Sequence, residues 1–391
     1  MKTIRKFLLT LSCATLGATS MASAQSMVGG GALPPKGWFD EVGATLPSPW
    51  SYTFVGSAAG KRAFIENEPS IHGLVDENDP ARNPWPSTQT VHFAGTQIPL
   101  TQAELALYAP NEIQWGPLIQ VPVALVPVFL PFNRPGVGEM QLSVAQVCRI
   151  FSYQPGYRTW GQLFGTADIA PISIVYRQES AETTALLTEY LAEQCDGYLP
   201  AGYAFTRSPN FEQAVQSALP ADSVGMPVSW VATLGPEALL DALAAGSNHM
   251  AYVRADEWPD DQPDFNQFAS ISGYLATPVN VTSAQPVPPT LPSELSEPAN
   301  WAPLHDLSAP GYQLYGRAYL LVNQCYLAPG VEGEVKEFLQ KLINPAGQLP
   351  DNLVALPAAW RAAITNALLD SASGYALDIG NPDVCTAGGR P

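Results

Sequence analysis

The chain has 391 residues, 46% of them hydrophobic, with 38 prolines and a formal charge of −17. That length allows two domains with ample core material. The acidic balance excludes nucleic acid and anionic membrane surfaces as natural partners.

Residues 1–24 have the parts of a secretory signal: Lys2, Arg5 and Lys6, an apolar stretch from Phe7 to Leu16, and the cleavage box Ala22-Ser23-Ala24. Cleavage near Ala24 predicts a periplasmic or secreted chain of formal charge −20, because three cations and no acids are lost. No stretch reaches ~18 uninterrupted apolar residues, so no membrane insertion is expected. An acidic protein still binds an anion where local donors converge, since salt screens the distant charges.

The mature chain opens on Gly29-Gly-Gly-Ala-Leu-Pro-Pro-Lys36, read as a glycine-rich turn. Ser51–Val55 predicts a strand, and the run from Gly56 to Ile65 predicts a helix that offers Ser57 at its start. Lys61 gives this segment a faint likeness to a phosphate loop, but the spacing G-x-x-x-x-G-K-[ST] is missing. Thr90–Ala94 reads as a strand, and Thr101-Gln-Ala-Glu104 as a capping box opening a helix. The apolar, proline-broken run Ile119–Phe132 predicts extended chain buried on both sides, a crossing between domains. Ser143-Val-Ala-Gln146 is a second capping box.

Ile172–Tyr176 predicts a strand that delivers Arg177 to a turn. Ser180 reads as an N-cap, Glu182, Thr183 and Thr184 fill the first helical turn, and Leu187 and Leu191 continue it at i, i+4. Free N–H groups at a helix start, beside hydroxyls and an arginine, suit an anion. A capped helix with a surface arginine is the plainer alternative. Further on, Pro236 and Gly246 frame a helix, and Asp256–Asp264 reads as a solvated acidic loop, since calcium-loop spacing is lacking. Residues 278–303 predict a long connection and Tyr312–Cys325 a strand. Val331, Val335, Phe338, Leu339 and Leu342 predict a helical face, as do Trp360, Ile364 and Leu368. Strands alternating with helices predict an α/β fold, whose ligands sit where strands end and helices begin.

Four cysteines survive the leader, Cys148, Cys195, Cys325 and Cys385, and permit three pairings. The sequential one closes loops of about 47 and 60 residues, worth at most roughly 4 kcal/mol each. His72, His92, His249 and His305 are scattered without ligand spacing, and no Gly-x-Ser-x-Gly or His-Glu-x-x-His occurs. No metal, cofactor or enzymatic activity is expected from them.

The chain resembles the DING family, relatives of the phosphate-binding protein of Pst-type ABC importers. The resemblance rests on GGGALPPK, VGSAAGKRAF, VHFAGTQIPLT, IQVPV, VYRQESAETT, NQCY and the terminal run Ile379–Pro391, which appear in family order along nearly all of the mature chain. It implies a two-lobed periplasmic-binding-protein-like fold of type II, with a phosphate in the central cleft and the sequential disulfides. The implied lobes are 25–120 plus 311–391, and 121–310. It also implies a small anionic solute such as phosphate and ABC importer membrane subunits as partners.

The site departs from the family. Leu33 stands where the family has an anion-contacting threonine, and Gln97 where it has an aspartate that accepts the proton of hydrogen phosphate. Ser57 and Arg177 match the family's serine and arginine. Ser-Gly-Thr becomes Ala181-Glu182-Thr183. Losing two hydroxyl donors costs about 10²- to 10⁴-fold in affinity, and a like charge at ~4 Å, here the Glu182 carboxylate, costs about 4 kcal/mol at an effective dielectric of about 20. Two readings follow. One is a binding protein for an oxyanion or other small polar solute, with tight phosphate binding in doubt. The other is an extracellular structural or interaction protein whose emptied cleft pairs Glu182 with Arg177.

Overall fold

The computed structural model describes residues 27–32, 36–73, 90–259, 267–306, 308–345, 349, 353–386 and 388–391, so the leader and Leu33 lie outside it. In chain order the strands are β1 Met27–Gly31, β2 Trp50–Phe54, β3 Phe93–Thr96, β4 Leu118–Phe129, β5 Phe132–Asn133 and β6 Met140–Leu142. They continue as β7 Ser173–Arg177, β8 Val231–Thr233, β9 His249–Ala251, β10 Val253–Arg254, β11 Ala269–Ile271 and β12 Tyr315–Asn323. A six-stranded sheet runs β10-β4-β12-β3-β1-β2, a four-stranded sheet runs β5-β9-β7-β8, and β11 pairs with β6. The α/β expectation holds, with two principal sheets. β1 lies parallel to β2 and β3, and β7 parallel to β8 and β9.

Gly29–Gly31, expected as a turn, is instead a central strand. The neighbours leave no room for side chains: a Cβ on Gly29 would lie 2.3 Å from the Phe93 ring, and one on Gly31 would lie 1.9 Å from the Gly95 carbonyl oxygen. Glycine inside a strand marks such close approach. The helix Gly56–Glu66 uses the same economy, since a Cβ on Gly60 would sit 2.4 Å from the Gly31 Cα.

All twelve residues of β4 are buried, as its composition predicts. Pro122 sits at a bulge in the ladder, where Val123 is an extra residue: Ala318 pairs with Ala124 and Tyr319 with Pro122. Residues 118–127 pair with β12 and 128–129 with β10, after which the chain enters the four-stranded sheet as β5. One strand thus carries the chain between the two bodies.

Both disulfides follow the sequential pairing, Cys148–Cys195 and Cys325–Cys385. The first joins the Val144–Phe151 helix to the end of the Glu182–Gln194 helix. The capping boxes at Thr101 and Ser143 form as expected. Residues 278–303 are not irregular throughout, as they contain the short helices Pro278–Ser283, Pro292–Leu295 and Pro298–Trp301, each with proline in its first turn. Ser180 does not cap its helix. Ala181, tied by its N–H to the Pro209 carbonyl at 2.9 Å, is the last extended residue, and Glu182 is the first helical one.

His92 is buried, and its Nδ1 accepts the Val28 N–H at 3.1 Å, fixing β1. Burial, with the nearby Arg390 charge, lowers its pKa to about 4. The unfolded chain therefore takes up this proton first as pH falls. The neutral histidine contributes fully above about pH 6.5, and its contribution of about 3 kcal/mol is lost as pH falls to about 4. Urea unfolding of a His92→Gln variant between pH 6.5 and 4.5 should show a shallower loss of stability than the parent. An identical slope would count against it.

Candidate functional site

The cluster is assembled from strand ends and helix starts of both sheets. β2 ends at Phe54 and the next helix begins at Gly56, whose φ of +79° suits glycine. Ser57 follows, 2% exposed, with an N–H that has no partner inside its own helix. From the four-stranded sheet, β7 ends at Arg177 and the Glu182–Gln194 helix begins five residues later. The Glu182 carboxylate reaches across to Ser57. Its Oε1 accepts the Ser57 N–H at 2.8 Å and also the Ser57 hydroxyl. That hydroxyl in turn accepts the Gln97 N–H at 3.0 Å.

Arg254 closes the cluster, and the sequence reading missed it. It is 4% exposed at the end of β10, and its Nη1 donates to Gln97 Oε1 at 2.8 Å and to Glu182 Oε2 at 3.3 Å. Its Nε donates to Asp256 at 3.0 Å, and Nη2 lies 3.4 Å from Glu257. Burial opposes its charge, yet Asp256, Glu257 and Glu182 outweigh that and raise its pKa. The expected pairing of Glu182 with Arg177 is therefore corrected. Glu182 pairs with Arg254, while Arg177 donates to Glu179 and, at 3.3 Å, to Glu257. Asp256 and Glu257 are not a solvated loop either. They form a short turn, Ala255–Glu257, folded back on Arg254 because that guanidinium would otherwise be buried unpaired. Residues 260–266 of the acidic run lie outside the described residues.

Thr183, 1% exposed, donates its hydroxyl to Glu257 at 2.7 Å. That bond, with Arg254 and Arg177, overcomes burial and holds the Glu257 carboxyl below its ordinary pKa. Asp256 shifts the other way: burial and the adjacent Glu257 raise it despite Arg254. Arg254 can only donate, so the Gln97 amide oxygen faces it, leaving Gln97 Nε2 a buried donor without a partner. Tyr52 donates to the Ala32 carbonyl at 2.9 Å, and Ala32 donates to Gly95 O at 2.9 Å, holding the residue after β1 to the end of β3.

The structure thus brings Ser57, Gln97, Arg177, Glu182 and Thr183 into one hydrogen-bonded network. Lys61 is not part of it, being paired with Glu104 at 2.9 Å. Two guanidinium groups there face four carboxylates, from Glu179, Glu182, Asp256 and Glu257. Arg254 had a signal in the sequence: Met250-Ala-Tyr-Val-Arg254 repeats the pattern of Ser173-Ile-Val-Tyr-Arg177, an apolar strand delivering an arginine to a turn. His92, His249 and His305 each bind backbone or a glutamate elsewhere. Among the described residues no group of His, Cys, Asp or Glu is arranged for a metal, and no helix is long and apolar enough to cross a membrane.

A PBP superfamily domain model matches residues 36–344. The chain is 32% identical to alkaline phosphatase L of Pseudomonas aeruginosa, over 97% of this chain and 99% of that protein. It is 29% identical to a phosphate-binding protein from an unknown prokaryotic organism, over 93% and 99%. Among solved structures, a high-affinity periplasmic phosphate-binding protein with phosphate bound superposes with a TM-score of 0.73 at 29% identity, over 94% of this chain and all of that one. An ancestral soluble variant of the human phosphate-binding protein gives 0.74 at 28%, over 94% and 99%.

Proposed function

Since the chain belongs to the PBP superfamily, we propose that it is an exported solute-binding protein, periplasmic or secreted, and not an enzyme. Its solute is a phosphate-like oxyanion or another small polar molecule held in the cleft between lobes 25–120 plus 311–391 and 121–310. Each disulfide falls within one of these divisions. The observation that carries the reading is the convergence of Ser57, Gln97, Thr183, Arg177 and Arg254 from both sheets on one buried spot. Relatives carry the names phosphate-binding protein and alkaline phosphatase L. ABC importer membrane subunits are the matching partners.

One observation favours the second reading, a scaffold kept for interaction. Ser57, Thr183 and Arg177 each already donate to a carboxylate of the chain itself. Calorimetric titration of the mature protein with phosphate, sulfate and small organic anions decides between them. Solute binding predicts a micromolar or weaker affinity for at least one. Silence across the panel would leave the scaffold reading.

A further inference from the structure

The donors assigned to a solute are spent on the chain itself in a particular geometry. The Ser57 N–H is one of the first-turn donors that a helix cannot satisfy internally, and its partner comes from the opposite sheet's helix start. Glu182 divides its oxygens as a bound oxyanion would. Oε1 takes a backbone N–H and a hydroxyl, and Oε2 faces a guanidinium at 3.3 Å. A second bond, from Arg254 to Gln97 at 2.8 Å, joins the end of β10 to the turn after β3, with β4 and β12 between those strands in the six-stranded sheet.

From this arrangement we infer that Glu182 is the cleft's own ligand, a tethered carboxylate that occupies the anion position and holds the lobes closed without solute. A solute then enters only by displacing it. Closure stands on the geometry alone, and the displacement clause rests on the proposed solute binding. Tethering gives the carboxylate an effective concentration of about millimolar or higher, so a free anion competes at a standing disadvantage. The other donors do not cross between the lobes, since Glu257 holds Thr183 and Arg177, and Glu179 holds Arg177, all within 121–310. Apart from Gln97 Nε2 and Glu179 Oε2, the described cleft groups have partners in this form.

Small-angle scattering and amide exchange on the mature chain, with and without millimolar phosphate, test this. The parent should keep one radius of gyration in both buffers, with the Ser57 amide protected in each. Glu182→Ala should expand in phosphate-free buffer, and its Ser57 amide should exchange ~10- to 10²-fold faster, the loss of one charge-assisted bond. Glu182→Gln, which keeps the shape and an acceptor but not the charge, should fall between. A parent that contracts on adding phosphate overturns the latch, as does Glu182→Ala with unchanged radius and Ser57 protection. If Glu182→Ala opens and then closes on phosphate, latch and solute binding both stand. If it opens yet neither closes nor gives heat with any anion, the latch stands and solute binding fails.

Discussion

Replacing Glu182 with glycine together with Gln97→Asp is expected to raise phosphate affinity by roughly 10³-fold over the parent. The main term is electrostatic. A carboxylate ~4 Å from a single like charge costs about 4 kcal/mol at an effective dielectric of about 20, close to three decades of affinity. The substitution also frees the Ser57 N–H and hydroxyl, both held by Glu182. Arg254 keeps Asp256 and Glu257 and can still turn Nη1 toward an anion. Gln97→Asp returns one negative charge, but this carboxylate accepts the proton of hydrogen phosphate and keeps an oxygen facing Arg254, so it bonds the ligand instead of only repelling it. Sulfate carries no such proton, so the gain should be larger for phosphate. Paired calorimetric titrations read both numbers. A double variant that binds no better than the parent would show that the anion position lies elsewhere.

Replacing Arg254 with methionine is expected to destabilise the fold by about 3–5 kcal/mol, because one buried cation neutralises several carboxylates at once. Glu182, Asp256 and Glu257 would be left without their common partner, and Gln97 Oε1 without its donor. Methionine keeps the volume, so the loss reports charge and hydrogen bonding rather than a cavity. Arg254→Lys should recover part of it. A point charge replaces the charge but cannot reach Asp256, Gln97 and Glu182 together as the planar fork does. Urea unfolding with an unchanged m-value measures the difference. A loss below about 1 kcal/mol for Arg254→Met would mean that the acids relax into solvent and that the cluster is not closed.

Much of the candidate site could be read from local pattern. Ser57, Gln97, Arg177, Glu182 and Thr183 all lie at strand-to-helix turns, where unpaired N–H groups are a property of the backbone alone. The misreadings share one cause. Ser180 failed as a cap because the Pro209 carbonyl fixes Ala181 as extended chain, a contact between distant segments. Asp256 and Glu257 were placed in solvent because a run of acids usually is, and their partner's burial is set by β10 joining β4. Glycine favours turns, which is what Gly29–Gly31 suggests in isolation, while the Phe93 ring and the Gly95 backbone demand glycine there in a strand.

By itself the sequence determined the alternation of strands and helices, the buried run that became β4, the capping boxes and the residue types gathered at the cleft. These depend on periodicity, side-chain size and short-range hydrogen bonds, which act within a few residues. Tertiary structure alone decided the long-range pairs, Arg254 with Glu182 and Arg177 with Glu257, whereas Glu179 and Asp256 lie two residues from their arginines. Glu182 was legible as an anion at a helix start, but its partner depended on where Arg254 and Arg177 come to rest. The fold spends Arg177 on Glu179 and Glu257 and gives Arg254 to Glu182. Charge pairing falls off over a few ångströms and carries no sequence period, so only the packing of the two sheets could assign it.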